Sequence, residues 1–157
     1  MSVKTTITGN LGKKITLSKV SLNNGKSEDV CNFSVASTPY KRTVDAAGNT
    51  SYEQKGETAW IDCTVWGARA SGLAKLLQKG MPVILSGTEV LRKNEDSDGK
   101  VYVNRTLVVE QIGLNLFSNR LGAETTEDGS TIIKLRPASA GEAPDTAAEE
   151  KDSDIPF

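Results

Sequence analysis

Two tryptophans, Trp60 and Trp66, stand six residues apart in the segment Glu57–Trp66. In an extended chain that spacing puts both rings on one side, because successive side chains point to opposite faces. Read at period two, Ala59, Ile61, Cys63 and Val65 form a small apolar face, and Trp60, Asp62, Thr64 and Trp66 form the other. The first set suits a packed interior, so both indole rings are expected to point outward. A one-residue slip would bury the rings but put Ile61 and Val65 in water. Flat rings on an open sheet face stack planar groups, and a nucleobase stacked on an aromatic side chain contributes ~1–3 kcal/mol.

Basic and aromatic side chains interleave nearby in sequence. Tyr40, Lys41, Arg42, Tyr52 and Lys55 fall within one polar stretch, and Arg92, Lys93, Tyr102 and Arg105 flank a second. Rings that stack on bases beside cations that track phosphates suit a single nucleic-acid strand. The tip is chemically different. Asp152, Ser153 and Asp154 run into Ile155, Pro156 and Phe157. Pro156 blocks a helix, while a pocket can bury Phe157 and a basic rim can meet acids and a carboxylate. The tip therefore reads as a peptide ligand for partner proteins, with Asp152, Asp154, Ile155, Pro156 and Phe157 as its contacts.

The elements that must position these groups are short strands between turn signals. Val3–Thr8 alternates and meets a glycine-bounded bend at Gly9–Gly12. Lys14–Leu22 continues as a strand with Ile15, Leu17 and Val20 inward. Val30–Ser37 follows, with Cys31, Phe33 and Val35 inward. Thr38–Lys55 reads as a long hairpin loop or arm, and Glu57–Trp66 as a strong strand. Gly67–Lys79 is the one helix, with Ala70, Leu73, Ala74 and Leu77 on one face and Gly80 as its stop. Pro82–Arg92 and Val101–Leu116 are strands around an Asp98-Gly99 turn. This order predicts an all-β chain: a five-stranded OB barrel over residues 1–116 with a single helix. Residues 117–135 suit an extra hairpin centred on Asp128-Gly129. Residues 136–157 read as a disordered acidic tail, whose reach as a flexible coil is about 25 Å.

Charge supports that division. Residues 1–115 hold 15 Lys and Arg against 11 Asp and Glu, whereas residues 137–157 hold one Lys and six acids. A mildly basic body with an acidic arm suits a polyanion-binding domain. No histidine is present, so His-based acid–base chemistry and His–Cys metal sites are excluded. No P-loop, GxSxG motif or spaced carboxylate pair points to an enzyme, and no cofactor is implied. The only cysteines, Cys31 and Cys63, fall on the apolar side and read as reduced core residues rather than a metal pair. With no signal-peptide pattern and no apolar run of membrane length, the expectation is a cytoplasmic, nucleoid-associated protein with no membrane partner.

Several motifs recur in order: Gly9-Asn10-Leu11-Gly12, Asn32-Phe33-Ser34-Val35-Ala36, Thr58-Ala59-Trp60, Leu76-Leu77-Gln78-Lys79-Gly80, Gly87, Arg92-Lys93 and the Asp-Ile-Pro-Phe tip. Together they resemble bacterial single-stranded DNA-binding protein over residues 1–116 and again at the tip. The resemblance implies a non-enzymatic homotetramer. It would coat single-stranded DNA in replication, recombination and repair and recruit partner proteins through the tip. It implies stacking by Trp60 and Trp66, with Tyr40 at or next to a third aromatic position. A fourth, after Arg92-Lys93, is Asn94 here, which removes one platform unless Tyr102 substitutes. Ile61 stands where many members carry a histidine linked to tetramer assembly, and Ser153 where an acid is common. Two other readings stay open: a plasmid- or phage-dedicated paralogue, and an OB-fold protein-interaction module with no use for exposed tryptophans.

Overall fold

The structure is a computed structural model and describes residues 2–12 and 15–137. Its elements are β1 (Ser2–Leu11), β2 (Thr16–Ser21), β3 (Ser27–Ser37), β4 (Tyr40–Val44), β5 (Thr50–Gln54), β6 (Ala59–Trp66), α1 (Ala68–Leu76), β7 (Pro82–Glu95), β8 (Val101–Leu114), β9 (Leu121–Thr125) and β10 (Thr131–Leu135). The main sheet runs β1-β7-β8-β6-β3-β2, and β1 also pairs with β3. Five strands, β1, β7, β8, β6 and β3, thus close on themselves. The β6–β8 pair is parallel and every other pair is antiparallel. This is the five-stranded OB arrangement that the strand order predicts.

Closure demands backbone contact too tight for a side chain. A Cβ at Gly9 would lie 2.2 Å from the Ala36 carbonyl oxygen, and one at Gly87 would lie 2.0 Å from that of Val108. Gly87 also marks a register shift in the β7–β8 pair, where a bulge bends the sheet into its curve. The bend expected at Gly9–Gly12 is therefore corrected. β1 runs on through Gly9 to Leu11, and the glycine serves a close approach rather than a turn.

The core gathers Leu11, Cys31, Phe33, Val35, Cys63, Val65, Val83, Leu85, Leu107 and Val109 from all five strands, and Ala70 and Leu77 from α1 and its end. The period-two reading of β3 holds at Cys31, Phe33 and Val35. On β6 it holds at Cys63 and Val65, and Ile61 packs partly buried against the core. Ala59 is exposed at the start of its strand. Leu17 and Val20 are also exposed, contrary to the inward expectation, because β2 is an edge strand paired only to β3. Ile15 does pack on the core. α1 ends earlier than expected. Leu77 is already extended, and Gly80 shapes the entry to β7, donating its N–H to the Leu11 carbonyl.

Three ribbons leave the barrel. β4–β5 forms its own two-stranded sheet, as does β9–β10, and the distal part of β7–β8 is a long hairpin. Their turns share one chemistry. In the β7–β8 turn, Gly99 adopts φ 77° and donates its N–H to the Asp96 carbonyl. The Asp96 side chain accepts the Asp98 and Lys100 N–H groups. Only glycine takes that conformation cheaply, and the turn recurs at Gly25, Gly48 and Gly129. Residues 138–157, including the expected tail and its tip, lie outside the described residues. Among the described residues, no helix is long and apolar enough to cross a membrane.

Burial pushes the Cys63 thiol up to about 12, with the neighbouring Asp62 charge adding to the effect. The folded value exceeds the unfolded one, so the neutral thiol favours the fold. That stability is complete below pH 9 and is lost as pH rises from 9 towards 12. Wild-type protein should therefore lose stability over this window faster than Cys63→Val, by up to about 1.4 kcal/mol per pH unit. Urea melts at pH 8, 9.5 and 10.5 measure the difference; parallel pH profiles would refute it.

Candidate nucleic-acid interface

The pairing register fixes which side chains share the outward face. β6 contributes Trp60, Asp62, Thr64 and Trp66, paired respectively to Ala36, Ser34, Asn32 and Val30 of β3. On the other side, Asp62 and Thr64 pair with Thr106 and Val108 of β8. Counting outward by twos, Asn104 and Tyr102 lie on the same face, with Arg92 and Asn94 opposite them on β7. Trp66, Tyr102 and Arg92 thus belong to one continuous surface. Lys93 and Arg105 do not. They fall on the other face of the ribbon, where the Arg105 Nε lies 3.5 Å from a Glu89 carboxylate oxygen.

The two tryptophans are not equivalent. Trp66 is 38% exposed, but Trp60 only 6%. The alternation does put Trp60 on the outward side. A Cβ on Gly12 would come within 3.0 Å of the Trp60 ring and 2.4 Å of the Ser34 hydroxyl, so the chain after β1 lies over both. Gly12 is held there by its N–H donating to the Ser34 carbonyl at 2.9 Å. The expectation that Trp60 stands in the open is corrected: Trp60 faces away from the barrel core and is roofed over. Its Nε1 is buried with no hydrogen-bond partner among the described residues, which costs about 1–3 kcal/mol.

Around Trp66 the face is polar. The Thr64 hydroxyl donates to the Asn32 side-chain oxygen at 2.5 Å. Burial raises the pKa of Asp62, so a carboxylate sits awkwardly in the middle of a surface suited to polyanions. Farther out, Lys100 lies 5.4 Å from the Tyr102 ring centroid, and its backbone N–H helps hold the Asp96 carboxyl below its ordinary range.

On the β4–β5 ribbon, Tyr40 pairs with Gln54 and Arg42 with Tyr52, so Tyr40, Arg42 and Tyr52 share one face. Arg42 donates to the Thr50 hydroxyl at 3.4 Å. Lys41 lies on the opposite face, paired with Glu53. Lys55 follows the strand, exposed, with its N–H on the Pro39 carbonyl. The candidate residues therefore gather in two sets: Trp66, Tyr102 and Arg92 on the barrel and its long hairpin, and Tyr40, Arg42 and Tyr52 on the short one. Alternation already sets Asp62 and Thr64 on the face of Trp66; that Asn32 stands beside Thr64 follows only from register. Among the described residues, no cluster of His, Cys, Asp and Glu could hold a metal ion.

A model of the single-strand binding protein family matches residues 3–115. "Single-stranded DNA-binding protein 2" of Streptomyces coelicolor is 38% identical over 89 residues, covering 57% of this chain and 43% of that relative. The match thus takes in less than half of that protein. A single-stranded DNA-binding protein of Paenarthrobacter nicotinovorans is 35% identical over 126 residues, 77% of this chain and 70% of its own length. Among solved structures, a small single-stranded DNA-binding protein from S. coelicolor superposes with TM-score 0.55 at 20% identity, over 73% of this chain and 95% of that one. At that identity the likeness shows the shared fold.

The unequal burial of the tryptophans has a measurable consequence. Trp60→Ala should lower stability by about 3–5 kcal/mol, as for large buried aromatics. Trp66→Ala should change it by less than about 1 kcal/mol. Equal urea midpoints for the two variants would contradict the roofed position of Trp60.

Proposed function

The chain belongs to the single-strand binding protein family, and on that footing we propose that it binds single-stranded DNA without sequence preference, by contact alone and with no chemical step. The observation that carries this is Trp66, exposed on the outward face of a closed five-stranded sheet whose same face carries Arg92 and Tyr102 farther along the β7–β8 hairpin. The relatives' names point the same way. Trp66 and Tyr102 stack bases, Arg92 meets phosphates, and the Tyr40–Arg42–Tyr52 face of the short ribbon lies against the strand. Lys41, Lys55, Lys93 and Arg105 add positive field around the path rather than stacking contacts. Trp60 supports the platform from beneath its roof.

The cellular reading follows: protection of single strands in replication, recombination and repair, with partner proteins recruited through Asp152, Asp154, Ile155, Pro156 and Phe157. Assembly with further copies, as a homotetramer, belongs to the same proposal. It is supported by β1, which pairs with β3 only at Asn10 and Leu11. Over Ser2–Thr8 one edge of β1 has no strand beside it among the described residues, an open row of backbone donors and acceptors.

Titration with poly(dT) should quench the intrinsic fluorescence, and Trp66→Ala should remove most of that quench while weakening binding by ~1–3 kcal/mol. Wild-type fluorescence indifferent to poly(dT) would sink the reading. Deleting Asp152–Phe157 should leave DNA affinity unchanged or slightly raised, since six residues with two acids are removed, yet abolish capture of replication and repair proteins. Undiminished capture by the truncated chain would show that the tip is not the ligand.

A further inference from the structure

Beyond the residues matched by the family model, the chain leaves β8 in a turn that meets the short ribbon across a cleft of about 270 Å³. Tyr40, Tyr52, Asn115, Phe117 and Arg120 are among the residues that line it. The turn is built. The Asn115 side-chain oxygen accepts the Phe117 N–H at 3.3 Å, the Ser118 N–H donates to the Asn115 carbonyl at 3.0 Å, and the Arg120 N–H donates to the Ser118 hydroxyl at 3.2 Å. It holds the Phe117 ring fully in solvent, 100% exposed. A single exposed ring is ordinary. Three rings and a guanidinium around one cleft are the composition of a stacking site.

We propose that this cleft, lined also by Tyr40 and Tyr52, takes a base of the bound single strand, stacked on Phe117, with Arg120 meeting its phosphate. The inference rests on the single-stranded DNA reading above and extends the path beyond the barrel. Continuity supports it: Ala36, which lines the cleft, is the cross-strand partner of Trp60 on the outward face. A strand running along β6 from Trp66 towards Trp60 arrives at this opening. The volume, at the low end for ligand pockets, suits one planar group and a phosphate.

The test uses the full chain and fluorescein-labelled dT oligonucleotides read by anisotropy. Phe117→Ala should weaken binding roughly 5- to 150-fold, the span of one lost stacked base. Phe117→Trp should restore it. Because Phe117 is solvent-exposed, both variants should melt like wild type. Oligonucleotides carrying 5-iododeoxyuridine should cross-link, on irradiation, to the peptide containing Phe117. Wild-type affinity in Phe117→Ala together with weakened binding in Trp66→Ala would leave the DNA reading standing and remove the cleft. Wild-type affinity in both variants, or no binding at all, would remove both. A peptide of residues Asp152–Phe157 that blocks the Phe117 cross-link while the oligonucleotide stays bound would assign the cleft to the chain's own tip, and the proposal would fall.

Discussion

Everything described here depends on the sheet closing on itself. β1 must reach β7 along one side and touch β3 at Asn10 and Leu11, and closure succeeds because two backbone contacts, at Gly9 and Gly87, exclude any side chain. Closure gives the sheet an inside and an outside. The inside is filled by ten buried strand residues, closed over by Ala70 and Leu77 from α1 and its end, and each of the ten fixes the parity of its strand. A strand with Cys63 and Val65 inside has no freedom in where it points Trp66. The outward surface is thus a by-product of core packing, which is why it can be rigid while carrying few interactions of its own.

How much of this was legible in the sequence depends on which physical effect decides each residue. Alternation is a local property, and it correctly gave Cys31, Phe33 and Val35, then Cys63 and Val65. The helix face at Ala70, Leu73 and Ala74 followed for the same reason. The turn at Asp98-Gly99 was legible because glycine and aspartate carry their own geometry. Alternation names a face and does not say what lies over it, so the roof that Gly12 places on Trp60 was invisible. Edge position was equally hidden, and Leu17 and Val20 alternate as core residues would while belonging to a strand with one partner. The helix overran because leucine at 77 fits helix and strand alike. Gly9 looked like a turn because glycine also marks close backbone approach, and only the neighbour tells the two apart.

The candidate interface shows the same division. Tyr40, Arg42 and Tyr52 were chosen for type and turned out to share a ribbon face, while Lys41, chosen with them, lies behind it. Parity counted from Leu107 separates Lys93 and Arg105 from Arg92 and Tyr102, but that count needs the β6–β8 register, which no short motif carries. Phe117 and Arg120 sit in a polar stretch after the last barrel strand. Only the fold brings them to the tyrosines of a ribbon some 70 residues earlier in the chain.

The pairing of β1 with β7 also sets a timetable. Thr5 faces Gly87 and Ser2 faces Val90, so the first strand finds its main neighbour only after more than eighty residues have been made. Such long-range pairing folds slowly, since the loop must be closed before the contacts repay it. During synthesis at about 5–20 residues per second, Ser2–Leu11 waits for seconds with both edges bare. Its composition suits that wait: Lys4, Thr6 and Thr8 keep the strand polar on the face that will later look outward. Nascent chains that meet one another in this interval can pair through the same edge, so the rate of translation, as well as the stability of the finished barrel, governs how many molecules reach it.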